Sequence, residues 1–168
     1  MLENRTESRP EGSSKDRPWK FLVVVDDSPE FRAALRFACL RAARVGGGVV
    51  LLYVIPPGDF QHWRAVEHIM REEAREAAQL TLDRYAAKVR ELADIDAETV
   101  IREGKLQDEI VAQIDEDPGI HVLVLAAATG DNPGPLVSAF SGPLISAISI
   151  PVLVVPGNLS DEAIDRLV

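Results

Sequence analysis

Apolar residues in this chain fall into short continuous runs separated by longer stretches of three- and four-residue periodicity. Such runs read as strands buried on both faces, and the periodic stretches as helices with one buried stripe. Four runs stand out: 21–25 (FLVVV), 49–55 (VVLLYVI), 120–126 (IHVLVLA) and 151–155 (PVLVV). A shorter strand with alternating exposure is expected at 98–101, within 96–103 and near a sheet edge.

Between the strands the pattern predicts helices. The first runs to Val45, with Ser28 as its N-cap, Pro29 in the first helical position and Glu30 near the positive helix end. Phe31, Ala34, Leu35, Ala38, Ala42 and Val45 share its inner face, Cys39 lies on its apolar side, and Arg32, Arg36, Arg41 and Arg44 form a solvated face. Gly46, Gly47 and Gly48 stop it. A long helix over 62–92 presents Val66, Met70, Ala74, Ala77, Thr81, Tyr85, Val89 and Leu92 as one stripe. Helices follow at 106–116, at 136–148 and at 161–168, the last capped by Ser160.

Alternation of strand and helix, with near-continuous apolar strands, implies an α/β fold: one parallel sheet in a three-layer, doubly wound domain with right-handed crossovers. Ligands bind such sheets outside the carboxyl ends of the strands. Here that edge carries Asp26, Asp27 and Ser28, then 54–57, then 126–135.

Composition narrows the partners. The 168 residues suit one domain with a sizeable core. A net charge of -9, with no Lys/Arg-rich run, argues against nucleic acid and against an anionic membrane surface. The one cysteine excludes an intrachain disulfide. No apolar run approaches a membrane span. Residues 1–18 are polar and charged and read as a flexible tail without the apolar core of a secretory signal. The expected layout is that tail, a domain over 19–158 and a short helix over 159–168, in a cytoplasmic protein.

Chemistry is sparse. His62, His68 and His121 do not form a metal-ligand spacing, and no GxSxG, Walker A or GxGxxG pattern occurs. No catalytic set can be argued from spacing. Asp26-Asp27 at a strand's carboxyl end is the most chemical-looking feature. Adjacent acids there can hold Mg²⁺ or accept hydrogen bonds from a ribose or amine, and they also suit a turn and helix start.

FLVVVDDSPEFRAALR resembles the opening of a response-regulator receiver domain. The third strand, however, ends in Val100-Ile101-Arg102-Glu103-Gly104 without the phosphorylatable Asp. Val154-Val155-Pro156-Gly157 stands where a receiver carries its Lys. Over 19–158 the chain resembles a universal stress protein, within the adenine nucleotide alpha hydrolase-like superfamily. The matching pieces are FLVVVDDSPEFRAALRFA, LLYVI, VIREGKLQDEIV, HVLVLAAATG and IPVLVVPGN.

The resemblance implies a five-stranded parallel sheet of order 3-2-1-4-5 and a homodimer formed through the 151–156 edge strand. It implies ATP, with Mg²⁺, as the candidate ligand. Adenosine would be held by Asp26 and the backbone near Val54, and phosphates by a glycine loop of pattern G-x2-G-x9-G-[S/T] after the fourth strand. Here Ala126, Thr129 and Ala139-Phe140 occupy those loop positions, and Pro133 and Pro135 remove two backbone donors. The candidate nucleotide contacts are Asp26, Asp27, Ser28, Val54, Thr129, Gly130, Gly134 and Ser141. The function implied is a dimeric stress-response or signalling binding module with a remodelled or absent phosphate loop. The alternative is an ATP-binding member with weak hydrolysis.

Overall fold

A computed structural model describes residues 18–58 and 64–168. The expected tail lies almost wholly outside the described residues, as does His62. The elements are β1 (Lys20–Val24), α1 (Phe31–Val45), β2 (Gly48–Ile55), α2 (Arg64–Ala93), β3 (Ala97–Glu103), α3 (Leu106–Glu116), β4 (Ile120–Ala127), α4 (Pro135–Phe140), β5 (Val152–Pro156) and α5 (Asp161–Leu167). All strand pairs are parallel, and the sheet order is β3-β2-β1-β4-β5.

Alternate side chains of each strand feed two cores, as the period of two requires. Phe21, Val23, Val25, Val49, Leu51 and Val124 pack under α1, α2 and α5. Leu22, Val24, Val50, Leu52, Leu123 and Leu125 pack under α3 and α4. Cover on both faces is why these strands read as unbroken apolar runs. β3 is an edge strand, with Glu98 and Thr99 exposed.

Four expectations fail locally. Ser28 does not cap α1. Its hydroxyl donates to Asp26 Oδ1 at 2.6 Å and its backbone N–H to the same oxygen at 3.0 Å, so the helix begins only at Phe31. A carboxylate two residues upstream is a stronger acceptor than the hydroxyl, and the segment closes as an Asx turn.

The helix expected over 136–148 ends at Phe140. Pro143 lacks the N–H that would have gone to the Ala139 carbonyl, and Leu144 N–H takes that oxygen at 3.0 Å instead. The chain then turns into a single 3-10 turn at Ile145–Ala147.

The α2 stripe is buried only in part. Of its expected members Val89 is fully buried, Val66 and Met70 are 50% and 45% exposed and Ala77 is exposed, while Ala78 and Leu82, not expected inward, are fully buried. At 30 residues α2 is about 45 Å long, whereas the 8-residue β2 spans roughly 26 Å. The helix overruns the sheet, and among the described residues its first turns have no layer to cover. Val45, expected inward, is also exposed, and Ala33 and Cys39 are buried in its stead. Burial pushes the Cys39 thiol up to about 12, so it is a core atom rather than a nucleophile.

Candidate functional site

The chain passes from β1 outward to β2 and β3, then returns across the sheet to β4. The topological switch therefore lies between the carboxyl ends of β1 and β4. Asp26 stands two residues past the last β1–β2 pair, Val24↔Leu52. It is half-buried, and only Oδ1 is engaged, by Ser28. Oδ2 takes no hydrogen bond from the described residues and is free to accept one.

Asp26, Ser28 and Gly134 line one small cavity there, of about 50 Å³, with Glu30, Phe31 and Pro133. Of the other residues expected at the site, Asp27, Val54, Thr129, Gly130 and Ser141 are not among the residues lining it. Asp27, Thr129 and Gly130 are exposed. The Ser141 hydroxyl donates to the Val137 carbonyl at 2.6 Å, back into its own helix. Nothing in the local sequence marked Glu30, Phe31 or Leu136 as cavity walls. They arrive through helix packing, which spacing alone does not reveal.

The β4–α4 loop folds on itself. Ala128 N–H donates to the Pro133 carbonyl at 3.0 Å, and Gly134 N–H donates to Asn132 Oδ1 at 3.0 Å. Pro133 and Pro135 have no N–H to offer. Gly134 adopts φ 98°, a left-handed angle that a side chain would strain, and so turns the chain into α4. α4 has only 6 residues, too short for much macrodipole, and Asp131 adds a negative charge to the loop.

Among the described residues no three His, Cys, Asp or Glu side chains converge as a metal-ligand set. His121 lies at the opposite, amino end of the sheet, stacked on Trp19 with ring centroids 4.9 Å apart. His68 is exposed on α2.

The arginines of α1 are not simply solvated. Arg32 donates to Asp161 and to the Leu159 carbonyl, and Arg36 forks onto Asp165 at 2.7 and 2.8 Å. They tie α5 across the front of α1. The signal was the matched spacing of two pairs four residues apart, Arg32/Arg36 and Asp161/Asp165, on helices far apart in the chain.

The fold and site define a doubly wound α/β protein with a crevice at its switch point. Residues 20–156 match the sequence profile described as the universal stress protein family, and the chain belongs to that family. No curated protein matched.

Among solved structures, the universal stress protein UspA from Lactobacillus plantarum is 22% identical with a TM-score of 0.66, covering 83% of this chain and 98% of its own. The universal stress protein from Archaeoglobus fulgidus in complex with dAMP is 21% identical with a TM-score of 0.58, covering 82% of this chain and 98% of its own. A universal stress protein family protein from Arabidopsis thaliana with AMP bound is 17% identical with a TM-score of 0.58, covering 86% and 95%. At these identities the likeness establishes the fold.

Proposed function

We propose that this chain is a cytoplasmic universal stress protein that works as a dimeric binding module for stress response or signalling, and that it does not grip a nucleoside triphosphate. One observation carries the reading: the Ala128-to-Pro133 closure of the β4–α4 loop. A phosphate site at a helix start needs several backbone N–H groups aimed outward. In this loop Ala128 and Gly134 spend theirs internally, Pro133 and Pro135 have none, and the cavity beside them holds about 50 Å³. These residues do not fit a triphosphate with Mg²⁺, and no chemical step is derived through one.

A second reading is supported by Asp26. Its Oδ2 is free at the crevice, and relatives of the same fold are described with AMP and dAMP. That reading is an adenine-nucleotide binder, at most a weak ATPase, that uses the nucleoside rather than the phosphates.

Thermal denaturation with ATP–Mg²⁺ and with AMP separates the two. A ligand at a hundred times its Kd adds about 2.7 kcal/mol. For a chain of this size that raises Tm by roughly 5–10 °C. The expected outcome is no rise with ATP–Mg²⁺. A saturable rise with ATP–Mg²⁺ overturns the loop argument. A rise with AMP alone leaves the loop argument standing and selects the nucleoside reading.

A further inference from the structure

A cavity larger than the crevice lies beside it. Between α1 and the C-terminal half of α2 lies an open cleft of about 620 Å³. That volume falls within the range of small-molecule sites. It has an apolar floor and a cationic rim, arranged by different elements.

Phe31 and Leu35 of α1 and Tyr85 and Leu92 of α2 form the floor. Phe31 and Tyr85 meet edge to face, with ring centroids 4.9 Å apart and planes at 76°, which fixes both rings in place.

The rim carries Arg32, Arg36, Arg84 and Lys88 against Glu91 and Asp161. With Asp165, which holds Arg36 from just outside the lining, four cations face three carboxylates, a net local excess of one cation in a chain whose net charge is -9. Local excess of this sign opposes the field of the rest of the molecule and favours anions at this place alone.

The cations differ in availability. Arg32 and Arg36 are held by α5 through Asp161 and Asp165. Lys88 pairs with Glu91 in its own helix at 2.9 Å, with both side chains well exposed, so the pair is weak and exchangeable. Arg84 has no carboxylate partner among the described residues. Its guanidinium carbon sits 5.1 Å from the centroid of the Tyr85 ring. A guanidinium held over an aromatic floor and lacking a counter-ion is a preorganised receptor for a carboxylate, which it can take in a two-point fork.

We propose that this cleft binds a small amphipathic carboxylate, an aryl- or alkyl-substituted acid. Its apolar body lies on Phe31, Leu35, Tyr85 and Leu92, and its head is held by Arg84 and Lys88. The cleft shares Ser28 and Phe31 with the strand-end crevice, but the Arg84 and Lys88 head-group site on α2 lies outside that crevice.

The test is an NMR amide-shift titration of the full chain with 4-phenylbutyrate, with its neutral amide as the matched control. Saturable shifts are expected in 31–36 and 84–92 with the acid, and much weaker ones with the amide. The double variant R84E/K88E changes two side chains on the outer surface of α2, and circular dichroism checks its fold. It is expected to weaken binding of the acid by roughly tenfold or more. Y85A, which removes the ring from the floor, is expected to weaken acid and amide alike. The proposal is overturned by shifts centred on the β1/β4 crevice, by equal affinity for acid and amide, by no saturable shift at millimolar acid, or by a correctly folded R84E/K88E that binds as well as the parent.

Discussion

A methyl group placed on Gly157 would lie 2.5 Å from the Ala127 carbonyl oxygen and 2.5 Å from Glu30 Cβ. Its own N–H donates to that same Ala127 oxygen at 2.9 Å. The glycine is required by crowding, since β4, β5 and the entry to α1 converge there, and the backbone must shift to admit any side chain. Gly157→Ala is therefore expected to cost about 1–3 kcal/mol. A urea melt should show a lower midpoint at unchanged slope. An unshifted midpoint would mean the strand ends have slack that the contact distances deny. In the sequence Gly157 reads only as a break after β5. Its reason lies with residues 30 and 127, and no local rule reaches that far. The same holds for Arg32 and Arg36, which spacing presents as a solvated face and the fold assigns to α5. Ser160, by contrast, caps α5 as local rules require, accepting from Ala163 N–H at 3.2 Å.

Elements were legible in the sequence wherever their cause was local. All five strands and the ends of α3 follow from apolar runs and turn residues. α4 was misjudged in length because periodicity continued past Pro143, although the missing N–H was written in the sequence. The overrun of α2 was hidden for a different reason: an apolar stripe says that a face can be buried, not that a layer exists to bury it. One element pair yields a pH test. Arg102 of β3 binds Glu109 at 2.6 Å and Glu116 at 2.7 Å on α3. The Arg102 guanidinium holds the Glu116 carboxyl below its ordinary value of 4.5, and Arg36 likewise holds Asp165 below 3.8. A carboxyl depressed in the folded state contributes stability above its unfolded value and loses it as pH falls through the folded value. Stability should therefore decline as pH drops below about 4.5. Arg102→Met should flatten that decline while lowering stability at neutral pH by about 1 kcal/mol. Urea midpoints at pH 7, 5 and 3 measure both, and a parallel acid limb in the variant would remove Arg102 as its cause.

At the scale of the molecule, the two edges of the sheet are treated differently. β3 offers a polar rim, with Glu98 and Thr99 exposed and Lys20 bridging Glu98 to Asp117. Such an edge discourages pairing with another chain. β5 offers Val152, Leu153 and Val154, and Val154 is 39% exposed with no strand beyond it among the described residues. Ile145, on the 3-10 turn that leads into β5, is 47% exposed. An apolar edge left open invites association, and a second copy of the same edge satisfies it in a closed, two-fold way. Pro151 and Pro156 flank the strand and donate nothing, so backbone pairing is confined to the few residues between them, and side-chain contact must supply most of the interface. The negative charge of each copy opposes approach, so the proposed homodimer is expected to be firmer at higher salt. Sedimentation velocity should give twice the mass of one chain. Val154→Lys should return it to one while leaving the melting temperature of the monomer fold nearly unchanged, because Val154 faces outward. A dimer that survives Val154→Lys, or a parent chain that sediments as a monomer at high salt, would place the interface elsewhere or remove it.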